Sequence, residues 1–458
     1  MAQKNGNLQN LPIHLENIWE ISKQLNLASP VELADLIESK DDKEQILIFN
    51  ALSPEKAVTV FEYLPFKIQK HLLHALPTEQ KAFLLNALSP DDRTSFLEEL
   101  PSDQVTQLLK YLSPAEKTLS LKLLGYPEYS VGRLMTPDYI SIKMDWTVKE
   151  VLDFIRTNGR DTETVNVIYA VDDQGVLIDD FRIRQFLFAS LTTKVSDLAD
   201  YKFVALNVDD DEEKAIKIFR RYDRVALPVI DANKVLLGIV TIDDIIDIAV
   251  EEDTEDIHMI GGVEGLSETY MQTPFFQLIR KRIGWLIILF LGEMLTASAM
   301  GYFQDEISKA VVLALFVPLI ISSGGNAGSQ ASTLVIRALA LDEVKLRDWW
   351  KIMRREVFSG LLLGTVLGVI GFFRVSLWSQ FSNIYGAHWL LIAITVFLAL
   401  IGVVLWGTII GSMLPIILKR CGFDPAVSST PFVATLVDVT GLIIYFSIAI
   451  VVLQGTLL

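Results

Sequence analysis

The chain has 458 residues, of which 51% are hydrophobic, and its net charge is −16. Its length predicts more than one domain, and its mean hydropathy of +0.38 favours a membrane protein. Residues 1–282 carry 30 basic and 47 acidic side chains, whereas residues 283–458 carry ten and nine. The acidic first part argues against nucleic-acid binding, which needs basic patches. One cysteine and five scattered histidines suit neither an internal disulfide nor a zinc or copper site, which leaves hard cations with oxygen ligands.

The first residues are polar and predict no signal peptide. A repeat of twelve residues then begins near residue 50, marked by a leucine followed by Pro or Ser-Pro: Leu52, Leu64, Leu76, Leu88, Leu100 and Leu112. Because proline is tolerated in the first turn of a helix but not in its interior, each repeat predicts a helix of about eight residues. Stacked short helices form a superhelical solenoid. We therefore predict an α-helical superhelix over residues 1–124, which serves as a docking surface or as a spacer.

Residues 125–250 contain two copies of a strand, helix, strand, turn, strand, helix pattern. The second copy, with PVID and LLGIVTIDDIIDI, resembles a CBS domain, so the region resembles a tandem pair of these usually regulatory modules. The first copy has LIDDFRIRQFL where that family usually has a glycine, an apolar residue and Ser or Thr. In the second copy, Thr241 and Asp244 lie where such domains often contact a ribose; Asp244 could equally serve a metal.

An acidic run follows the second copy, with five acids between Glu251 and Asp256 and three more just before them. Acids at i, i+3 and i+4 on a helix repel one another, and such a run is usually a solvated face. Its place between a sensor-like module and the membrane favours a function, because a divalent cation would neutralise it and let it pack. We predict that residues 251–282 form an acidic connecting helix.

The last part predicts five membrane spans, at about 283–303, 310–337, 357–378, 388–418 and 430–455. Basic residues at 280–282 and in the loops after the second and fourth spans alternate with acidic or nearly uncharged loops at 304–308 and 379–387. The positive-inside rule then predicts a cytoplasmic N-terminus and an outside C-terminus. We expect Gly324 and Gly325 to break the second span, because adjacent glycines weaken a helix.

Asp438 is an acid inside the last apolar run, PFVATLVDVTGLIIY. A carboxylate at the centre of a membrane helix costs about 3 kcal/mol and therefore marks a functional site by default. With Pro431 in the first helical turn, Asp438 lies about 10 Å further along, inside a hydrocarbon core of about 30 Å. Its helix face is small or polar, which predicts a path for a cation; the alternative is a helix contact with a hidden partner. Glu293, in the first span, is either a second pore ligand or an entrance residue.

The order of superhelix, CBS pair, acidic connector and five spans, together with PLIISSGGNAGSQASTLVIRALA and DPAVSSTPFVATLVDVTG, resembles the MgtE family of magnesium channels. This family is related to eukaryotic magnesium carriers. The resemblance implies a multidomain protein of the cell membrane, a homodimer with one pore, and Mg²⁺ as both substrate and regulator. It also implies that Asp438 holds hydrated Mg²⁺ with help from the Ala434 carbonyl, and that Asn326 lies near the pore.

The resemblance further implies regulatory Mg²⁺ sites on cytoplasmic acids, which are Glu213, Asp223, Asp244, Asp247, Glu252, Glu255 and Asp256. Asp424 would face the connecting helix, and Asp91 or Asp92 would complete a site between domains. The family's binding of ATP at the CBS pair is also implied, although the altered first copy argues against it here. Two alternatives stay open, a carrier that exchanges Na⁺ for Mg²⁺ and a membrane-anchored sensor without transport. We expect no enzyme, because the chain has no nucleophile–base set and no phosphate loop.

Overall fold

The computed structural model describes residues 18–160, 162–266, 270–271, 273–427 and 429–457. They form two compact units that divide at Val250 and Glu251. The described part of the first unit starts with nine short helices, namely α1 (Ile18–Leu25), α2 (Pro30–Glu38), α3 (Asp42–Asn50), α4 (Pro54–Glu62), α5 (Phe66–Ala75), α6 (Thr78–Ala87), α7 (Pro90–Glu98), α8 (Ser102–Leu108) and α9 (Pro114–Leu123). The predicted residues 1–17 of the superhelix lie outside the described residues.

The twelve-residue repeat has the predicted physical basis. Ser53, Ser89 and Ser113 each accept a backbone N–H with the side-chain hydroxyl, and the proline that follows each of them occupies the first helical turn. The repeating leucines are all buried, with at most 9% of their surface exposed, and they share one core. Serine caps therefore mark the start of these three helices, whereas α5, α6 and α8 start after a proline at the N-cap position, without a side-chain cap. Leucine burial sets how the helices stack.

The rest of the first unit contains two modules of the predicted order. Their elements are α10 (Val131–Leu134), β1 (Ser141–Ile142), α11 (Val148–Asn158), β2 (Val167–Val171), β3 (Leu177–Arg182), α12 (Ile183–Phe188), α13 (Val195–Leu198), β4 (Leu206–Asn207), α14 (Glu212–Tyr222), β5 (Ala226–Ile230), β6 (Leu236–Thr241) and α15 (Ile242–Ile260). In each three-stranded sheet the first two strands are parallel and the last two antiparallel. Both sheets contribute to one apolar cluster around Tyr169, so the modules pack as a pair.

The connecting segment differs from the prediction of one helix over residues 251–282. Helix α15 starts at Ile242, inside the second module, and ends at Ile260; the next helix starts at Phe275. Gly261 and Gly262 lie just after the end of α15, and Gly262 has a positive φ of 73°. A glycine in the left-handed conformation ends a helix without steric cost, which explains why α15 stops there. Because α15 starts at Ile242, the acidic run belongs to the same helix as the end of the second module.

The second unit has five helices that are long and apolar enough to cross a membrane, within the described residues. The α-helices from residue 275 on are α16 (Phe275–Tyr302), α17 (Gln304–Lys309), α18 (Val317–Ala340), α19 (Trp349–Phe381), α20 (Trp389–Arg420) and α21 (Thr430–Leu453). Short 3₁₀ helices precede α18, α19, α20 and α21. The number of predicted spans is confirmed.

Helix α18 corrects one prediction, since it runs without a break through Gly324 and Gly325. The two glycines provide close packing: a Cβ on Gly324 would meet the side chains of Val403 in α20 and Val437 in α21. The glycines in α19 also provide close packing, because a Cβ on Gly364 would lie 2.8 Å from the Cα of Ile401. In a membrane, where apolar burial drives little association, small residues let helices approach closely.

Candidate functional site

Asp438 lies in the interior of α21. Ser429 caps this helix by accepting the backbone N–H of Phe432, and Pro431 occupies the first turn, as predicted. Asp438 is half-buried. A Cβ on Gly325 of α18 would lie 3.6 Å from the Asp438 Oδ1 and 3.5 Å from the Ala434 Cβ. Helices α18 and α21 thus approach closely at this carboxylate, where Gly325 and Ala434 are small.

Helix α18 has a polar face that is exposed in the single chain, and it consists of Asn326, Gln330, Thr333 and Arg337. The Asn326 amide makes a long hydrogen bond, 3.5 Å, to the Ser322 hydroxyl. The Ser329 hydroxyl donates to the Thr430 carbonyl at 3.3 Å, which ties α18 to the first turn of α21. Asn326 directly follows Gly325 in the chain, so only its backbone is placed near the Asp438 contact by this adjacency.

The segment after α15 contacts the start of α21. A Cβ on Gly262 would lie 3.5 Å from the Pro431 ring and 3.6 Å from the Ser429 hydroxyl. Further on, Glu264 donates its backbone N–H to the Lys281 carbonyl and forms an ion pair with the Lys281 ammonium at 3.8 Å. The segment after α15 therefore contacts both α16 and α21, the helix that carries Asp438.

An acidic cluster forms in the first unit where the superhelix meets the CBS pair. We use this name for seven side chains that influence one another electrostatically: Glu62, Asp91, Asp92, Glu163, Asp243, Asp244 and Asp247. The first three come from α4 and α7, and the last three from α15. An ion pair of 3.0 Å between Glu98 of α7 and Arg133 also joins these two domains.

The electrostatics of this cluster are unfavourable for the carboxylates. Burial and then the charge of Asp244 raise the pKa of Asp91 well above its usual value. Burial raises the pKa of Glu62 to about 7, with a further contribution from Asp92. Burial also raises the pKa of Asp244 to about 7, although the Thr241 hydroxyl donates to this carboxylate at 2.6 Å and lowers it. Repulsion of this kind is what a bound cation relieves.

Asp91 gives the strongest single indication of a ligand. It lies in the first turn of α7, only 8% of its surface is exposed, and its Oδ1 is buried without a hydrogen-bond partner among the described groups. An unpaired buried carboxylate oxygen is expensive, so its position at the cluster favours neutralisation by a cation or a proton. Within the described ranges, no three His, Cys, Asp or Glu side chains are already arranged as metal ligands.

Sequence reasoning named Asp244 and Asp247 and suggested Asp91 or Asp92, and the structure brings all four into the cluster. It missed Glu62 and Glu163, and it counted Asp243 only as part of the acidic run. The spacing of four residues between Asp243 and Asp247 on one helix could have placed Asp243 in the same site. Glu62 and Glu163 carry no signal in the sequence, because only tertiary packing moves them next to α15.

Other predicted residues do not join the cluster. Glu213 and Asp223 lie at opposite ends of α14, about 15 Å apart along the helix axis, so they cannot share one site within the chain. Glu213 pairs with Lys217 at 2.9 Å. Glu252, Glu255 and Asp256 lie on the second half of α15. Asp424 is exposed, and it accepts the backbone N–H of Ala426 at 2.8 Å, which is a local turn contact.

The altered first CBS copy has a polar cleft of about 270 Å³, lined by Arg182, Arg184, Lys202 and several acids. Two buried carboxylates at its wall are already engaged. Asp179 accepts the backbone N–H groups of Asp200 and Tyr201 at 3.0 Å each, and Asp180 forms an ion pair with Arg224 at 2.8 Å. The charges of this cleft are thus largely balanced within the protein.

Comparison with known proteins agrees with this organisation. The model of the MgtE intracellular N domain matches residues 28–129, the CBS model matches residues 131–188 and 195–251, and the divalent cation transporter model (MgtE) matches residues 317–448. The chain is 38% identical to the magnesium transporter MgtE of Thermus thermophilus over 73% of this chain and 72% of the relative. It is 33% identical to the magnesium transporter MgtE of Enterococcus faecalis over 72% and 70%.

Two solved structures are similar to the first part of the chain. One is the cytosolic domain of the Mg²⁺ channel MgtE in complex with ATP, at 30% identity and a TM-score of 0.49, covering 51% of this chain and 97% of that one. The other is the soluble part of a magnesium transporter, at 27% identity and the same TM-score, covering 52% and 93%. Given the three family models in order and 38% identity over nearly three quarters of both chains, this protein belongs to the MgtE family of magnesium transporters.

Proposed function

We propose that this magnesium transporter is an Mg²⁺-selective channel that Mg²⁺ itself closes from the cytoplasmic side. The observation that carries the proposal is the pairing of two features in one chain. One is an acid at membrane depth on a small, polar helix face, and the other is an acidic cluster around the buried Asp91, whose Oδ1 has no hydrogen-bond partner among the described groups. The first can hold a passing cation and the second can sense one.

Asp438 is the proposed ion-holding residue. Mg²⁺ gives up its waters reluctantly and prefers octahedral oxygen ligands, so a carboxylate holds the ion through its water shell. Gly325 and Ala434 put no bulky side chain beside the Asp438 carboxylate on this side. In a homodimer, Asp438 from each protomer would face one pore, with the Ala434 carbonyl and Asn326 contributing further oxygen atoms. Size and charge of the hydrated ion then set selectivity.

The acidic cluster is the proposed sensor. Bound Mg²⁺ neutralises it and favours the packed arrangement of the superhelix and the CBS pair, whereas without Mg²⁺ the carboxylates repel one another. Helix α15 carries three of these acids, and the proposed regulatory acids Glu252, Glu255 and Asp256 lie further along it. Its end contacts the start of α21 through Gly262 and Pro431, which supports a link from sensor to pore. Since only differential affinity shifts an equilibrium, Mg²⁺ must bind the closed state more tightly.

The remaining regulatory acids are proposed to act at separate sites. Glu213 and Asp223 are exposed on α14, and Asp424 is exposed before α21. Such groups can bind Mg²⁺ through water or between two protomers. The proposed membrane orientation has both soluble domains in the cytoplasm and the C-terminus outside, as the distribution of Lys and Arg favours.

For ATP, we propose weak or no binding at the first CBS copy of this chain. The cytosolic domain of a related channel has been solved with ATP. Here the cleft of the first copy has Asp179 and Asp180 at its wall, and a phosphate group would have to approach these carboxylates. These acids already balance the cations of the cleft, so little net positive charge remains to attract a phosphate group.

The test is current through the purified full-length protein in a planar bilayer, with Mg²⁺ as the only permeant cation. We expect discrete openings that reverse near the Mg²⁺ equilibrium potential and become rare as cytoplasmic Mg²⁺ rises. Asp438→Asn should abolish the current while the protein stays folded. Mg²⁺ uptake that requires a Na⁺ or H⁺ gradient would instead establish a coupled carrier, and silence in both assays would favour a sensor without transport.

A further inference from the structure

Helix α16 carries one acid beyond its basic start, Glu293, and this side chain is exposed in the single chain. It lies eleven residues after Arg282, which is about 16 Å along the helix and within a hydrocarbon core of about 30 Å. A carboxylate that faces lipid at this depth costs about 3 kcal/mol. Glu293 therefore requires a wet or polar environment in the assembled protein.

The packing of α16 against α21 places Glu293 close to Asp438. A Cβ on Gly292 would lie 2.7 Å from the Thr435 methyl group, so the two helices are in close contact at that point. Further along, the rings of Phe303 and Phe446 stack with centroids 5.0 Å apart. Glu293 directly follows Gly292, and its carboxylate is near enough to that of Asp438 for an electrostatic interaction.

Thr296 provides an independent observation at the same place. It lies one turn beyond Gly292, on the side of α16 that packs against α21, and only 7% of its surface is exposed. Its hydroxyl is buried without a hydrogen-bond partner among the described groups. A buried unpaired hydroxyl costs about 1–3 kcal/mol, and the water shell of a cation between the two helices would satisfy it.

We propose that Glu293, Asp438 and Thr296 form one site for a hydrated divalent cation, in which Glu293 is a second ion-holding acid. The proposal rests on the function proposed above for Asp438. Two carboxylates hold a divalent ion more strongly than a monovalent one, because the attraction doubles with the charge of the ion. Glu293 thus contributes to the preference for Mg²⁺ over Na⁺.

The experiment compares full-length variants in liposomes, with Mg²⁺ entry followed by an enclosed Mg²⁺ indicator dye. Glu293→Gln keeps the shape of the side chain and removes its charge. We expect the external Mg²⁺ concentration for half-maximal flux to rise about tenfold, equivalent to 1.4 kcal/mol, and the selectivity for Mg²⁺ over Na⁺ to fall. Thr296→Val should raise the half-maximal concentration less. Glu343→Gln, at an exposed acid outside the spans, is the matched control and should behave as the wild type.

Two outcomes separate this proposal from the one on which it rests. If Glu293→Gln has wild-type affinity and selectivity while Asp438→Asn is inactive, Glu293 is not part of the site and the channel proposal stands. If Asp438→Asn transports Mg²⁺ normally, both this site and the proposed function are wrong. Should Glu293→Gln not fold, Glu293→Asp and Thr296→Val decide: wild-type affinity in both would overturn the site.

Discussion

Replacing Asp244 by asparagine removes one negative charge from the acidic cluster and keeps the size of the side chain. Asp244 is largely buried, and an asparagine oxygen can still accept the hydrogen bond from Thr241. Without Mg²⁺, the variant should therefore have a more stable first unit than the wild type, because one source of repulsion with Asp91 and Asp243 is gone.

The size of the effect follows from the pKa of Asp244, which burial raises from 3.8 to about 7. A carboxyl group with a raised pKa stabilises the folded state at low pH, and this contribution is lost as the pH rises through the folded-state value. The gain from Asp244→Asn should therefore grow between pH 4 and about pH 7 and then level off. Its upper limit is about 4 kcal/mol, at 1.36 kcal/mol for each pH unit between the two values.

Calorimetry of the full-length protein in detergent at pH 5 and pH 8, with and without Mg²⁺, measures this effect. At pH 8, Mg²⁺ should stabilise the wild type strongly and the variant less, since the variant has already lost the repulsion that Mg²⁺ relieves. At pH 5, where protons compete for the carboxylates, Mg²⁺ should stabilise both proteins less. Asp145→Asn, at an exposed acid outside the cluster, is the control and should change little.

One result would refute the reasoning: equal stability of the wild type and Asp244→Asn at pH 8 without Mg²⁺. The Asp244 carboxylate would then be solvated or paired in the folded state, and repulsion within the acidic cluster would not destabilise the protein. If the variant is more stable than the wild type by the same amount with and without Mg²⁺, the carboxylates repel one another in the wild type, but this repulsion is not what Mg²⁺ relieves.

Two further predictions concern the helices of the second unit. Replacing Glu252, Glu255 and Asp256 together by alanine should raise the cytoplasmic Mg²⁺ concentration for half-closure in bilayer recordings, because less charge is available for Mg²⁺ to neutralise. An unchanged value would exclude these three acids as a sensor. Gly364→Leu should destabilise the protein by about 1–3 kcal/mol in thermal unfolding, because its Cβ meets the backbone at Ile401. Gly301→Ala is the control, since nothing lies within 4 Å of that Cβ, and a loss of stability there equal to that of Gly364→Leu would contradict the packing argument.

Much of the architecture could be predicted because it depends on residues close together in the chain. A proline indicates where a helix starts, and leucines spaced by twelve residues indicate which side of each helix is buried. The superhelix and its buried leucines could therefore be predicted from the repeat. The same holds for the five apolar helices and for Asp438, since an acid within an apolar run is visible without any contact information.

Local propensity was misleading at Gly324 and Gly325. Two adjacent glycines weaken an isolated helix, yet α18 continues through them because α20 and α21 pack directly against the space that side chains would occupy. In a membrane, the backbone must satisfy its own hydrogen bonds, which also favours an unbroken helix. The position of the glycines is thus explained by their neighbours rather than by their propensity.

The acidic cluster depends entirely on tertiary structure. Glu62, Asp91 and Glu163 are far apart in the chain, and none of them belongs to a pattern that distinguishes it from a solvated acid. Folding of the superhelix onto the CBS pair buries Asp91 and brings it near α15, and burial, followed by repulsion between the acids, raises the pKa values of Asp91 and Glu163. Local sequence specifies helices and spans because their hydrogen bonds and burial patterns are short-range, whereas a charge cluster is the sum of long-range contacts that only the packed chain creates.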